Sequence, residues 1–122
     1  METAVLKSVA GFLNGSGGTV VIGVADDGSP VGCDRDGFVN EDKMSLHLAN
    51  ILRDRIGAQH AMNVQPRFDD YEGVRVLAVE CSRSPSPVFL KDGTTEKFYV
   101  RYGPSTQELT GGIAQEYIKQ RF

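Results

Sequence analysis

The first apolar positions along the chain recur at helical spacing. Val5, Val9 and Leu13 fall on one face of a helix, and the pair Asn14-Gly15 that follows is typical of helix ends. The pattern predicts a helix over residues 3–14. Because its apolar face begins almost at the first residue, little room is left for a helix cap, and we expect the printed chain to start inside a larger protein.

The next segments alternate between strand and helix patterns. Residues 19–24 are β-branched and apolar on both faces, which predicts a central strand covered on two sides. Residues 40–56 carry apolar side chains at helical spacing with acids in the first turn, and they are the strongest helix pattern in the chain. Residues 62–68 alternate around Pro66, which predicts an edge strand or a bulge, and residues 74–81 are its expected hairpin partner.

The last part of the chain adds strands and one helix. Residues 82–87 contain two prolines and predict a loop, after which residues 88–90 resume an extended run. Residues 97–102 predict another strand, closed by a turn at residues 103–106, and a final helix is expected from Ile113 to the end. The order of elements predicts an α+β domain with a mixed, mostly antiparallel sheet covered by helices.

Composition and charge narrow the classes of function. The chain has 122 residues, which suits a single domain, and its 13 basic and 16 acidic residues give a net charge of −3. The chain as a whole lacks the basic footprint of duplex-binding proteins, so any nucleic-acid site must be local. No apolar run approaches a membrane span and no secretory signal is visible, so we expect a cytoplasmic protein without a membrane partner. Cys33 and Cys81 lack metal-site spacing and are expected to be free thiols.

A glycine-rich segment follows the first helix. Its position before a strand is the reverse of a dinucleotide-binding turn, and no Gly-Lys-Ser/Thr follows it, so ATP binding is disfavoured. The segment suits a tight turn with positive φ, and its exposed amides also suit contact with a phosphate. The two interpretations are compatible. The candidate phosphate-contacting residues are Asn14, Ser16, Gly17 and Gly18.

A pair of acids follows the first strand. Asp26 and Asp27 are candidate ligands for Mg²⁺ or Mn²⁺, because hard divalent ions prefer oxygen ligands on a rigid backbone. Asp-Asp-Gly is also a common turn sequence, and two acids leave a metal site short of ligands unless another, such as Glu80, converges on them. His47 and His60 form no HxxxH pair, which disfavours a zinc site.

Basic and aromatic residues concentrate near the carboxyl end. The cations Arg83, Lys91, Lys97 and Arg101 outnumber the acids between them, and alternation places Tyr99 between the last two on one strand face. Basic side chains beside exposed aromatics suit the backbone and the bases of a nucleic acid. The same pattern also fits a solvated polar face over a buried apolar one, so both interpretations stay open.

The end of that strand carries a second possible contact. Arg101 ends the strand, Gly103 permits a sharp exit, and the hydroxyls of Ser105 and Thr106 suit a phosphate. The same residues suit a structural clasp in which the arginine pairs with an acid across the sheet and meets no ligand.

Four blocks carry a resemblance to a known family. They are residues 11–28 with their double glycine and Ile-Gly-Val strand, the Val-x-Pro at 64–66, the Val-x-Cys-Ser at 79–82, and residues 98–106 with their Arg-x-Gly-x-Ser-Thr ending. Their order and spacing resemble the Schlafen-type AlbA-like domain across nearly the whole chain. The resemblance implies a DNA- or RNA-binding module of larger bacterial or archaeal proteins, namely transcriptional regulators and helicase-related proteins.

The resemblance favours nucleic-acid binding and leaves two alternative functions open. We expect nucleic-acid binding through the four cations, with Tyr99 available for stacking and no cofactor required. The first alternative is a protein-interaction module that forms a homodimer through an exposed sheet edge. The second is a metal-dependent nuclease using Mg or Mn, in which the resemblance places the metal-binding aspartate at Asp26, with Asp27 as the alternative position. The family's upstream acidic block has no counterpart in the printed chain, so we expect no catalysis from this fragment.

Overall fold

The computed structural model describes residues 2–23 and 41–122. The predicted metal ligands Asp26 and Asp27 lie outside these ranges. The helices and strands, in chain order, are α1 (Glu2–Asn14), β1 (Gly18–Ile22), α2 (Glu41–Arg55), a 3-10 helix (Ala58–Asn63), β2 (Val64–Tyr71), β3 (Val74–Cys81), β4 (Phe89–Asp92), β5 (Thr95–Tyr102), β6 (Ser105–Leu109) and α3 (Gly111–Arg121). The predicted helices at both ends and after residue 40 are confirmed.

The strands form two antiparallel three-stranded sheets, with the orders β1-β3-β2 and β4-β5-β6. The α+β class is confirmed. The prediction of a central strand at residues 19–24 is wrong, because β1 is an edge strand among the described residues and Val21 is 43% exposed. The centre belongs to β3, whose residues 76–79 are all buried. β-Branched composition favours a strand but does not distinguish the centre of a sheet from its edge.

The β2–β3 hairpin follows its turn chemistry. Glu72 and Gly73 have φ values of 49° and 84°, and two consecutive positive φ angles suit a two-residue turn between antiparallel strands. Pro66 lies on β2, an edge strand among the described residues, which agrees with the edge alternative of the prediction. Met62 belongs to the 3-10 helix rather than to the strand. Whether a sheet edge pairs with a second copy of the chain stays a prediction.

Strand β6 is the element that the sequence pattern missed. The predicted closing turn ends at Gly103 and Pro104, and Ser105 already pairs with Tyr102 as the first residue of the new strand. The five residues of β6 are mostly polar, and the strand lies at a sheet edge where few of its side chains are buried. A strand exposed in this way lacks the apolar alternation by which strands are recognised.

Helix α1 contacts strands of both sheets and supplies the centre of the core. Leu6, Val9 and Leu13 have no exposed surface. A Cβ added at Gly11 would lie 3.1 Å from the Thr106 side chain and 3.3 Å from the Arg101 backbone nitrogen, so the helix approaches β5 and β6 closely at this point. The carboxyl end of α1 is thereby held against the end of β5. No helix in the described ranges is long and apolar enough to span a membrane.

We expect the free energy of unfolding to decrease in mild acid because protonation of His60 disfavours the folded state. The side chain is 5% exposed, and burial lowers its pKa below the ordinary value of 6.5. The unfolded chain therefore binds the proton more readily, and this contribution to stability is lost as the pH falls below 6.5 and through the folded pKa. We expect the unfolding free energy of His60→Gln to decline less than that of the wild type between about pH 7.5 and about pH 5, measured by urea denaturation. Equal declines would contradict this role.

Candidate nucleic-acid interface

The glycine turn connects α1 to β1 with its backbone largely engaged. The Gly15 N–H donates to the carbonyls of Gly11 and Phe12 at 3.0 and 3.1 Å, and the Gly17 N–H donates to Phe12 at 3.0 Å. Gly17 and Gly18 have φ values of 87° and 157°, which confirms the predicted positive-φ turn. Because the Gly15 and Gly17 amides satisfy the carbonyls at the helix end, they are not donors to a phosphate.

Asn14 is part of the fold rather than of a phosphate-contacting loop. Its side chain has no exposed surface. Its Nδ2 donates to the carbonyls of Val88 and Tyr99 at 2.9 and 2.8 Å, and its Oδ1 accepts the Val88 N–H at 2.8 Å. The prediction for Asn14 is therefore wrong, because its amide is inaccessible and connects α1 to the second sheet. Ser16 is the exposed residue of the turn.

Three arginines from separate elements flank this turn. Arg121, at the end of α3, donates from Nη2 to the Gly15 carbonyl at 3.1 Å. The backbone nitrogen of Arg83 lies 3.4 Å from the position that a Cβ on Gly17 would occupy, and the Arg101 carbonyl lies 3.9 Å from the corresponding position on Gly15. We call the Gly15–Gly18 turn with Arg83, Arg101 and Arg121 the glycine-turn surface.

The glycine-turn surface carries positive charge without a carboxylate partner. Within the described part of the chain, none of its three arginines has an Asp or Glu oxygen within the 4.0 Å ion-pair distance. The surface is thus a local cationic patch on a chain with a net charge of −3. The described ion pairs lie elsewhere: Arg53–Asp54, Arg67–Asp69, Arg67–Glu80, Arg75–Glu41, Arg75–Asp70 and Lys97–Asp92.

Arg101 has the clasp geometry that the sequence left open. Its Nε donates to the Gly103 carbonyl at 3.0 Å, and its Nη1 donates to Thr106 Oγ1 at 3.0 Å. The guanidinium carbon lies 5.1 Å from the Phe12 ring centroid. These contacts hold the β5–β6 turn against α1. The acceptors of Arg101 are thus neutral groups rather than the acid that the clasp alternative expected. The exposed Ser105 hydroxyl donates to the Tyr102 carbonyl at 3.4 Å.

Tyr99 is not available for stacking, and that prediction is wrong. The side chain is 5% exposed and belongs to the core, and burial raises its pKa. The Lys7 Nζ of α1 lies 5.6 Å from its ring centroid. Strand β5 is the centre of its sheet, and on its other face Phe98 packs against Tyr117 of α3 with ring centroids 5.9 Å apart. The exposed aromatic of this strand is Tyr102, with 47% of its surface accessible.

The predicted basic residues divide into two groups. Arg83 and Arg101 lie at the glycine-turn surface, whereas Lys91 and Lys97 lie at the β4–β5 hairpin. Lys97 and Arg101 are four positions apart along an extended strand, which is about 13 Å. Lys97 Nζ lies 3.3 Å from the carboxylate of Asp92, and this hydrogen-bonded pair raises the lysine pKa. The hairpin group is therefore partly neutralised.

Sequence reasoning missed Arg121. A basic residue in the last turn of a helix has a sufficient local explanation in the helix dipole, so the sequence offered no sign of a further role. In the structure its Nη2 also donates to the carbonyls of Leu13 and Ser84 at 3.4 and 2.9 Å. These acceptors lie 108 and 37 positions away along the chain, so only folding brings them together.

The described residues supply no metal centre. Residues 2–23 and 41–122 contain no group of three His, Cys, Asp or Glu side chains that could hold a metal ion. Glu80, the acid considered as a third ligand, is hydrogen-bonded to Arg67. The nuclease interpretation through Asp26 stays a prediction. Cys81 is a free, buried thiol whose pKa burial raises to about 12, which makes it a poor nucleophile at neutral pH.

Comparison with known families found a match over most of the chain. A family model described as Schlafen, AlbA_2 matches residues 1–110. The match includes the glycine turn, Arg83 and Arg101, and it ends just before α3. No curated protein and no solved structure matches the chain. The match covers most of the sequence and confirms the resemblance carried by the four sequence blocks, and the chain therefore belongs to the Schlafen AlbA_2 family.

Proposed function

We propose that this chain is a nucleic-acid-binding module, contacting the phosphates of DNA or RNA through the glycine-turn surface, within a larger regulatory or helicase-related protein. The observation that carries the proposal is the presence of three arginines around one turn, none of them paired with a carboxylate of residues 2–23 or 41–122. Guanidinium groups suit phosphate because their planar donors match two phosphate oxygens at once. Membership of the Schlafen AlbA_2 family supports the same class of ligand.

The charge distribution indicates how such binding would behave. The chain is acidic overall, so attraction to a polyanion comes from a small surface and few phosphates are contacted. Arg83 is exposed and therefore the most accessible of the three arginines, and Tyr102 provides an exposed ring near the end of β5. Three phosphate contacts give a slope of about −2 to −3 when the logarithm of affinity is plotted against the logarithm of salt concentration.

The proposal is tested by titrating labelled single- and double-stranded DNA and RNA oligonucleotides with the protein at several salt concentrations. Arg83→Gln is expected to lower affinity about tenfold and to reduce the magnitude of the salt slope by about one. The matched control is Arg53→Gln, since Arg53 is an exposed arginine of α2 paired with its neighbour Asp54. This control is expected to bind like the wild type.

Two results would overturn the proposal. One is the absence of binding to any of the four nucleic acids at low salt, where electrostatic association is strongest. The other is equal affinity of Arg83→Gln and Arg53→Gln, which would mean that binding, where present, uses a different surface.

A further inference from the structure

Helix α3 lies outside the segment that the family match covers, yet it is fixed to the glycine turn. The Tyr117 hydroxyl donates to the Asn14 carbonyl at 2.7 Å. Arg121 Nη2 donates to the carbonyl of Gly15 in the turn at 3.1 Å and to that of Ser84 in the following loop at 2.9 Å. These contacts place a guanidinium group between the turn and the loop that carries Arg83.

Arg121 has no acidic partner among the described residues, and its guanidinium carbon lies 4.2 Å from the centroid of the Phe122 ring. Its hydrogen-bond acceptors are neutral, and its buried Nε has no hydrogen-bond partner. Burial lowers the Arg121 pKa, and the nearby positive charge of Arg83 lowers it further. No Asp or Glu in the described ranges lies within 4.0 Å of either group. Arg121 donates to the carbonyl of Ser84, the residue that follows Arg83, so the two cations belong to neighbouring backbone segments. An anion that contacts both would stabilise them.

We propose that Arg83 and Arg121 bind one phosphate group as a pair, and that the preferred ligand is the terminal phosphate of a nucleic-acid strand. A phosphodiester carries one negative charge, whereas a terminal phosphate carries about −1.5 to −2 near neutral pH, which matches two cations better. The inference rests on the proposed function for the source of the phosphate. In this proposal α3 contributes Arg121 to the interface, although the helix lies beyond the family-matched segment.

The test compares 5′-phosphorylated and 5′-hydroxyl single-stranded oligonucleotides of one sequence. For the wild type, the 5′ phosphate is expected to raise affinity about tenfold. Arg83→Gln and Arg121→Gln should each abolish this gain, and the double variant should lose no more, because the two residues act on one group. Lys119→Gln is the matched control, since Lys119 is an exposed cation in the same last turn of α3. It should keep the full gain.

Several results would contradict the proposal that Arg83 and Arg121 bind one phosphate together. They are equal affinity of the wild type for both oligonucleotides, a gain that survives in Arg83→Gln, or losses that add in the double variant. Arg121→Gln also removes contacts that hold α3, so its helix content is checked by circular dichroism. If that content falls, Arg83→Gln decides the result, because Arg83 is exposed and makes no such contacts.

A second probe separates this inference from the proposed function. Inorganic phosphate alone should raise the melting temperature of the wild type and of Lys119→Gln, but not of Arg83→Gln. If phosphate stabilises the protein in this way while no oligonucleotide binds, the anion pair is supported, and both the strand as its ligand and the proposed function are wrong. If oligonucleotides bind through Arg83 without any effect of the 5′ phosphate, the proposed function stands and the terminal-phosphate inference is wrong.

Discussion

Replacing Asn14 by alanine is expected to lower the free energy of unfolding by about 3 kcal/mol. The substitution removes three buried hydrogen bonds and leaves the Val88 N–H, the Val88 carbonyl and the Tyr99 carbonyl without their partner. Each buried polar group left unsatisfied costs about 1–3 kcal/mol, and the three contacts connect α1 to the second sheet at one point. The loss therefore combines local desolvation with a weaker junction between elements.

Urea denaturation followed by circular dichroism measures this effect. Ser16→Ala is the matched control, because Ser16 is the exposed residue of the same turn, and it is expected to change stability by less than about 0.5 kcal/mol. Asn14→Asp keeps an acceptor for the Val88 N–H but loses both Nδ2 donors and buries a carboxylate, so it should destabilise as well. An Asn14→Ala protein within about 1 kcal/mol of the wild type would contradict this role.

Reversing the charge of Arg83 is expected to lower oligonucleotide affinity on the order of 100-fold, whereas the same change at Lys97 should cost far less. Arg83→Glu replaces an exposed cation of the glycine-turn surface by an anion, which would repel a phosphate at the proposed site. Lys97 already forms an ion pair with Asp92, with 3.3 Å between Nζ and the carboxylate oxygen. It lies near the start of β5, at the opposite end from the glycine-turn surface. The comparison therefore tells which of the two basic groups contacts nucleic acid.

Fluorescence anisotropy at low salt provides both affinities, and Arg53→Glu on α2 reports the effect of net charge alone. A larger loss for Lys97→Glu than for Arg83→Glu would move the interface to the β4–β5 hairpin. Thermal unfolding of each variant accompanies the titrations, so that a loss of fold is not read as a loss of contact.

Arg101 is unsuitable for the same test because its guanidinium has two roles. It holds Gly103 and Thr106 by hydrogen bonds of 3.0 Å and lies over the Phe12 ring. A variant at this position would disturb the β5–β6 turn together with the surface charge. The strand-end block of the family resemblance therefore has a structural role here, and its phosphate contact stays a prediction.

Local patterns in the sequence were sufficient for much of the fold. Helices α1 and α2 follow from apolar spacing, and the β2–β3 hairpin follows from alternation and from the turn at Glu72 and Gly73. The positive φ of the glycine turn and the edge position of Pro66 were predicted on chemical grounds. The ordered blocks of residues also sufficed for the family. These features depend on neighbours along the chain, whose influence on backbone conformation is direct.

Other features required the folded chain. Nothing near Tyr99 in sequence shows that α1 covers one face of its strand, and nothing near Val21 shows that β1 lies at an edge. Asn14 finds its partners 74 and 85 positions away, and Arg121 reaches the glycine turn across 106. A residue's periodic position predicts a face of its own element. Packing between elements decides which element covers that face and which distant carbonyl or cation lies beside it. Periodicity within one segment carries no information about this packing.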